Sequence, residues 1–105
     1  MNNQFGKNFS QLADTSHIHT LILENHVSGS KVHIDNIPGK QASVKILYAI
    51  AMTNNFKITE KEAESGIALF GDYAQEEMDS PGSHPNIRLL MDILTNKQEW
   101  AVSAS

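Results

Sequence analysis

The chain contains no cysteine. That single absence excludes disulfides, zinc–thiolate sites and thiol catalysis. Arginine is nearly absent as well: Arg88 stands alone beside seven scattered lysines, and the formal net charge is -4. Phosphate backbones are met by a basic stripe, and none is present, so nucleic acid is not an expected partner. Long apolar runs are also missing. Nothing approaches the roughly 18 consecutive apolar residues that cross a bilayer, and Met1-Asn2-Asn3-Gln4 carry neither the basic start nor the apolar stretch of a signal peptide. No membrane association is expected, and the expected location is the cytosol. Catalytic signatures are thin. Ser43, Ser65 and Ser83 lack the G-x-S-x-G elbow, no dinucleotide fingerprint appears, and no cofactor is expected.

What is present describes one small domain. A chain of 105 residues is long enough for a single core and too short for two. Its 40% hydrophobic and 19% charged content is that of an ordinary globular protein. An ordered core is expected over residues 4 to 96, followed by a flexible tail over 97 to 105, because "NKQEWAVSAS" has no period.

Phe5, Phe9 and Leu12 recur at helical spacing and predict a short helix over residues 4 to 13. "IHTLILE" (18–24) and "KVHIDNI" (31–37) read as two strands of a hairpin. A two-residue turn at Ser28-Gly29 places Leu23 opposite Ile34 and Glu24 opposite His33. Leu21, Leu23, Val32 and Ile34 then share an apolar face, with Ile22 the exception on the polar one. Pro38-Gly39 turn the chain into a helix over residues 40 to 54. Its two apolar stripes, Val44-Leu47-Tyr48-Ala51 and Ile46-Ile50, predict the most buried helix of the set.

A second helix opens on the capping box Thr59-x-x-Glu62, and Ala63, Ile67, Phe70 and Ala74 mark its inner face. Gly66 and Gly71 each weaken a helix interior by about 1 kcal/mol relative to alanine, which points to close approach of a backbone or a ligand. A third helix starts at Pro85, with Ile87, Leu90, Met91 and Leu94 facing inward. The expected fold is α+β: a short N-terminal helix, one antiparallel hairpin, then three helices on its apolar face. Hairpin edges left open invite pairing with another copy, and a homodimer with a four-stranded sheet is one solution.

Candidate sites concentrate in "SPGSHPNIRLL" (80–90). Asp72, Glu76, Glu77 and Asp79 approach the negative end of one helix dipole, and Arg88 sits at the positive end of the next. Each placement is unfavourable alone and reasonable if Arg88 meets Glu76, Glu77 or Asp79 across the turn. Two alternatives use the same residues. His84 with Asp72 and Glu76 forms an oxygen-and-imidazole metal set. Otherwise His84, Asn86 and Arg88, with the helix N-terminal amides, hold an anion, joined by Gly39 and Lys40 from the other turn. "PGKQAS" (38–43) is a poor phosphate-loop match, since Ile34 and Gln41 stand where the pattern needs glycine and Ser/Thr. His26 and His33 with Glu24, on one polar face, or His17 with His19, are weaker metal candidates, because zinc needs three or four ligands at settled distances and the sequence does not fix the third.

The stretches "NIPGKQASVKILYAIA" and "AESGIALFGDYAQEEMDSPGSHPNIRLL" resemble a bacterial family of small proteins classed as a conserved domain of unknown function. The resemblance covers about residues 18 to 95. It rests on Asn36, Pro38, Gly39, Lys40 and Ser43, on Ala63 and Gly66, and most specifically on Pro81, Gly82, His84, Pro85, Asn86 and Ile87. Ile67 replaces a usual leucine, and Arg88 follows Ile87 where an aspartate is frequent. The resemblance implies a bacterial cytosolic protein and two turn motifs lying near one another, and it implies no activity. The leading reading is a non-enzymatic interaction or regulatory module that self-associates. The alternative is a small anion- or metal-binding protein, or an enzyme, built around Lys40, His84, Asn86 and Arg88.

Overall fold

The computed structural model describes residues 12–105. The helix expected over residues 4 to 13 lies outside them, save for its last two positions. The elements run β1 (Thr20–Asn25), β2 (Lys31–Asp35), α1 (Gln41–Met52), β3 (Lys57–Ile58), α2 (Glu60–Phe70), α3 (Asp72–Asp79), α4 (Pro85–Asn96) and β4 (Trp100–Ala104). The class is α+β. The strands form one antiparallel sheet in the order β2-β1-β4-β3.

The hairpin keeps its expected faces and shifts its register. Leu21 pairs with Ile34 and Leu23 with Val32, so Glu24 faces Lys31 and Ile22 faces His33. A slip of two residues preserves alternation, so Leu21, Leu23 and Ile34 still enter the core. The cause is local to the turn. Asn25 Oδ1 accepts the amides of Val27 and Ser28 at 2.9 and 3.0 Å, an Asx turn that starts bending before the Ser28-Gly29 pair. Gly29 then closes the loop at φ 75°, and its amide returns to the Asn25 carbonyl.

The largest correction concerns the C-terminal stretch. Residues 100–104 form a strand inside the sheet and not a tail. β4 pairs with β1, Val102 opposite Leu23, and with β3, Trp100 opposite Ile58. Burial alternates along its first four residues: Trp100 and Val102 are buried, Ala101 and Ser103 exposed. One edge of the hairpin is therefore covered by the chain itself, and the four-stranded sheet needs no second copy.

α1 is as buried as its two stripes require, with Val44, Ile46, Leu47, Ile50 and Ala51 all in the core. Its neighbour α2 opens on the expected capping box. The Thr59 amide and hydroxyl both donate to Glu62 Oε1, at 2.9 and 2.7 Å, and Asn54 Nδ2 adds a third bond at 3.1 Å. Burial works to raise the Glu62 pKa, but the bonds from Thr59 and Asn54 outweigh it and hold the carboxyl below its ordinary value.

The helix expected to follow the capping box is two helices. Gly71 adopts φ 59°, ψ -128°, a conformation closed to residues with a side chain, and it re-aims the chain from α2 into α3. Four helices are thus described where three were expected after the hairpin. Gly66 has the other role foreseen for it, close approach, although to side chains and not to a ligand. A Cβ there would lie 2.8 Å from Leu90 Cδ1 and 2.9 Å from Ile50 Cδ1, so α2 packs tightly on α4 and α1. Gly66→Val should cost about 2–3 kcal/mol through overpacking of this junction, read as a lower urea midpoint at unchanged slope. An unaltered midpoint would mean that the three helices separate more easily than this packing allows.

Candidate functional site

The segment joining α3 to α4 is organised around one buried carboxylate. Glu77 lies three residues after Ala74 on the inward face of α3, so the helix period carries both into the interior. Its side chain is wholly shielded from solvent. Burial of a bare carboxylate is prohibitive without partners, and the following turn supplies them. The Gly82 amide donates to Oε2 at 2.9 Å and the His84 amide to Oε1 at 2.6 Å. Arg88 Nε donates to Oε2 at 2.8 Å, and its guanidinium also reaches the Glu77 carbonyl at 3.3 Å. The Gly82 amide foremost, against the opposing effect of burial, and then the His84 amide and Arg88, hold the carboxyl below its ordinary value.

This arrangement resolves the odd placement of charges seen in the sequence. Arg88 and an acid of the preceding helix do meet across the turn, and the acid is Glu77. The tight loop is made possible by Gly82 at φ 95°, and Pro85 opens α4 at a position needing no amide. Glu77 thereby takes Arg88 and the His84 amide, two of the groups named for an anion site at the start of α4. Spacing alone does not single out Glu77, because Glu76 follows Leu69 and Tyr73 at the same intervals as Glu77 follows Phe70 and Ala74; packing buries Glu77 and leaves Glu76 exposed.

His84 is half-buried beside this centre. Its Nε2 bonds Glu76 Oε1 at 2.9 Å, and its ring stands edge-on to Tyr73 with centroids 5.4 Å apart. Glu76 and His84 therefore come together, but Asp72 does not complete a metal set with them. Among the described residues, no three of His, Asp and Glu gather closely enough to hold a metal ion. The hairpin set fails for a related reason: in the observed register His26 lies in the turn beyond β1, and His33 faces Ile22.

The two turn motifs do converge. A cleft of about 510 Å³ has Gly39, Lys40 and Ser43 on one side and Ser83, His84 and Asn86 on the other. β2 contributes His33 and Ile34, and Phe70, Tyr73 and Ile87 are among the other lining residues. Of the five residues proposed to bind a ligand, Gly39, Lys40, His84 and Asn86 line this cleft. Arg88 does not; it is directed to Glu77. Sequence reasoning did not place His33, Phe70 and Tyr73 here, because they reach the cleft from three separate elements.

No helix among the described residues is long and apolar enough to cross a membrane. No curated protein and no solved structure matches the chain significantly. A family match spans residues 5–104, nearly the whole sequence and wider than the two stretches that first suggested it. By that match the chain belongs to the family described as "uncharacterized protein conserved in bacteria" (DUF2322).

Proposed function

We propose that the chain is a non-enzymatic protein-interaction module that self-associates, and that its binding surface is the outer edge of the sheet at β2. The observation that carries this reading is topological. Among the described residues, β2 ends the strand order and pairs with β1 alone, leaving backbone donors and acceptors along its outer side. The cleft beside it lacks the groups a small anion needs most. Its nearest arginine and the Gly82 and His84 amides all serve Glu77, and Lys40 is left as the exposed cation of the lining.

Two measurements test the proposal. Light scattering coupled to size exclusion should give a mass that rises above the 11.6 kDa of one chain as concentration increases. Thermal melting in phosphate, nucleotides or divalent metals should show no concentration-dependent rise, because a ligand of the native state raises the transition by mass action. A strictly monomeric particle would remove self-association. A ligand-induced rise that disappears in Lys40→Ala and His84→Ala would instead establish the small-ligand alternative.

A further inference from the structure

We propose that β2 is self-complementary: two copies pair antiparallel through its outer edge, in the register that sets His33 opposite His33 of the second copy. This rests on the interaction-module reading and names its partner as a second copy of this chain, its surface as β2 and its register.

The direction of the backbone groups comes first. The Asn25 amide donates to the Ser30 carbonyl at 2.8 Å, and the Asn36 amide to the His19 carbonyl at 2.9 Å. Ser30 and Asn36 thus turn their polar groups toward β1. Alternation along an antiparallel strand turns Val32 and Ile34 the same way and directs the amides and carbonyls of Lys31, His33 and Asp35 outward. Among the described residues, the Asp35 carbonyl is the one outward group with a partner, the Ile37 amide at 3.0 Å. A strand added here must therefore align outward residues with outward residues.

Charge then selects among the registers that meet this condition. With His33 opposite His33, Lys31 of each copy faces Asp35 of the other, so the two-fold axis generates the ion pair twice. Val32 faces Ile34 on the helix-covered side. A shift that centres Lys31 on Lys31, or Asp35 on Asp35, sets like charges opposite each other and is rejected. Both charged residues are exposed on β2, where solitary charges ordinarily protect an edge; the His33-centred register is the one that sets Lys31 opposite Asp35, whereas pairing His33 with Lys31 or with Asp35 leaves the other charge without its opposite. The ends agree with the centre. Val27 is 92% exposed before β2 and Ile37 is 47% exposed after it, and antiparallel pairing brings the Val27 turn of one copy to the Ile37 end of the other.

The cysteine-free sequence makes the test clean, since one introduced thiol has no rival. His33→Cys should oxidise to a covalent dimer much faster than Ser103→Cys, which lies on the same exposed face but on the interior strand β4. Lys31→Asp and Asp35→Lys should each weaken association about tenfold, and the double exchange should restore it, by the usual size of cross-strand charge pairs. If a dimer forms while His33→Cys links no faster than Ser103→Cys and the charge variants associate normally, this edge is not the interface; self-association would stand and the register would fall. If the unmodified chain remains monomeric at high micromolar concentration, both fall together.

Discussion

Replacing Glu77 with glutamine is expected to lower the melting temperature by on the order of 10 °C or more, although it changes one atom. Glutamine presents one acceptor oxygen and an amide that cannot accept. At least one of the Gly82 and His84 amides then loses its bond, and Arg88, which is partly exposed, loses its counter-charge. Arg88→Met should cost less, because the carboxylate would keep both backbone amides. That ranking, Glu77→Gln worse than Arg88→Met, separates a carboxylate that organises the turn from an isolated ion pair. Equal losses would show the amides to be secondary.

The same residue sets an acid limit. The Glu77 carboxyl is held below its ordinary value of 4.5 in the folded chain and returns toward that value on unfolding. Its contribution is therefore fully present above about pH 4.5 and lost as pH falls through the lower, folded value. Protonated Glu77 resembles the glutamine variant, so the stability gap between them should be widest near neutrality and close in acid. Glu62, also held below its ordinary value, adds acid sensitivity common to both proteins and leaves the gap unaffected. A gap independent of pH would contradict the assigned ionisation.

The second large effect is expected at β4. Trp100→Ala should cost about 3–5 kcal/mol, a large share of the 5–15 kcal/mol typical of a domain. The indole is 94% buried where β1, β3 and β4 meet (6% exposed), facing Ile58 and Asn25, with its Nε1 bonded to Gln98 Oε1 at 3.0 Å. Ser103→Pro isolates the backbone part of the effect. The Ser103 side chain is exposed, but the residue pairs with Ile22 on an interior strand, where proline removes a ladder bond and is not accommodated. Denaturant titration should find both variants strongly destabilised. A flexible tail would tolerate both.

What could be read from the sequence alone was whatever depends on neighbours along the chain. The capping box at Thr59 and Glu62, the proline start of α4, the buried arcs of α1 and the faces of the hairpin follow from spacings of two to seven residues, and local geometry enforces them. The meeting of Arg88 with an acid across the turn was legible for the same reason: each charge sits at the wrong end of its helix.

Three features were settled by tertiary contact. "WAVSA" is too short and too weakly patterned to declare itself a strand; it becomes one because β1 has a second edge to pair and Phe56, just before β3, offers its carbonyl to the Val102 amide at 2.8 Å. The hairpin register turned on the side chain of Asn25, which two apolar strands cannot reveal, since a slip of two keeps every face unchanged. The choice of Glu77 over Glu76 or Asp79 depended on which acid the packed helix carries inward. Folding sets that acid against the Gly82 and His84 amides and Arg88 at the start of α4, a meeting that only the packed helices decide.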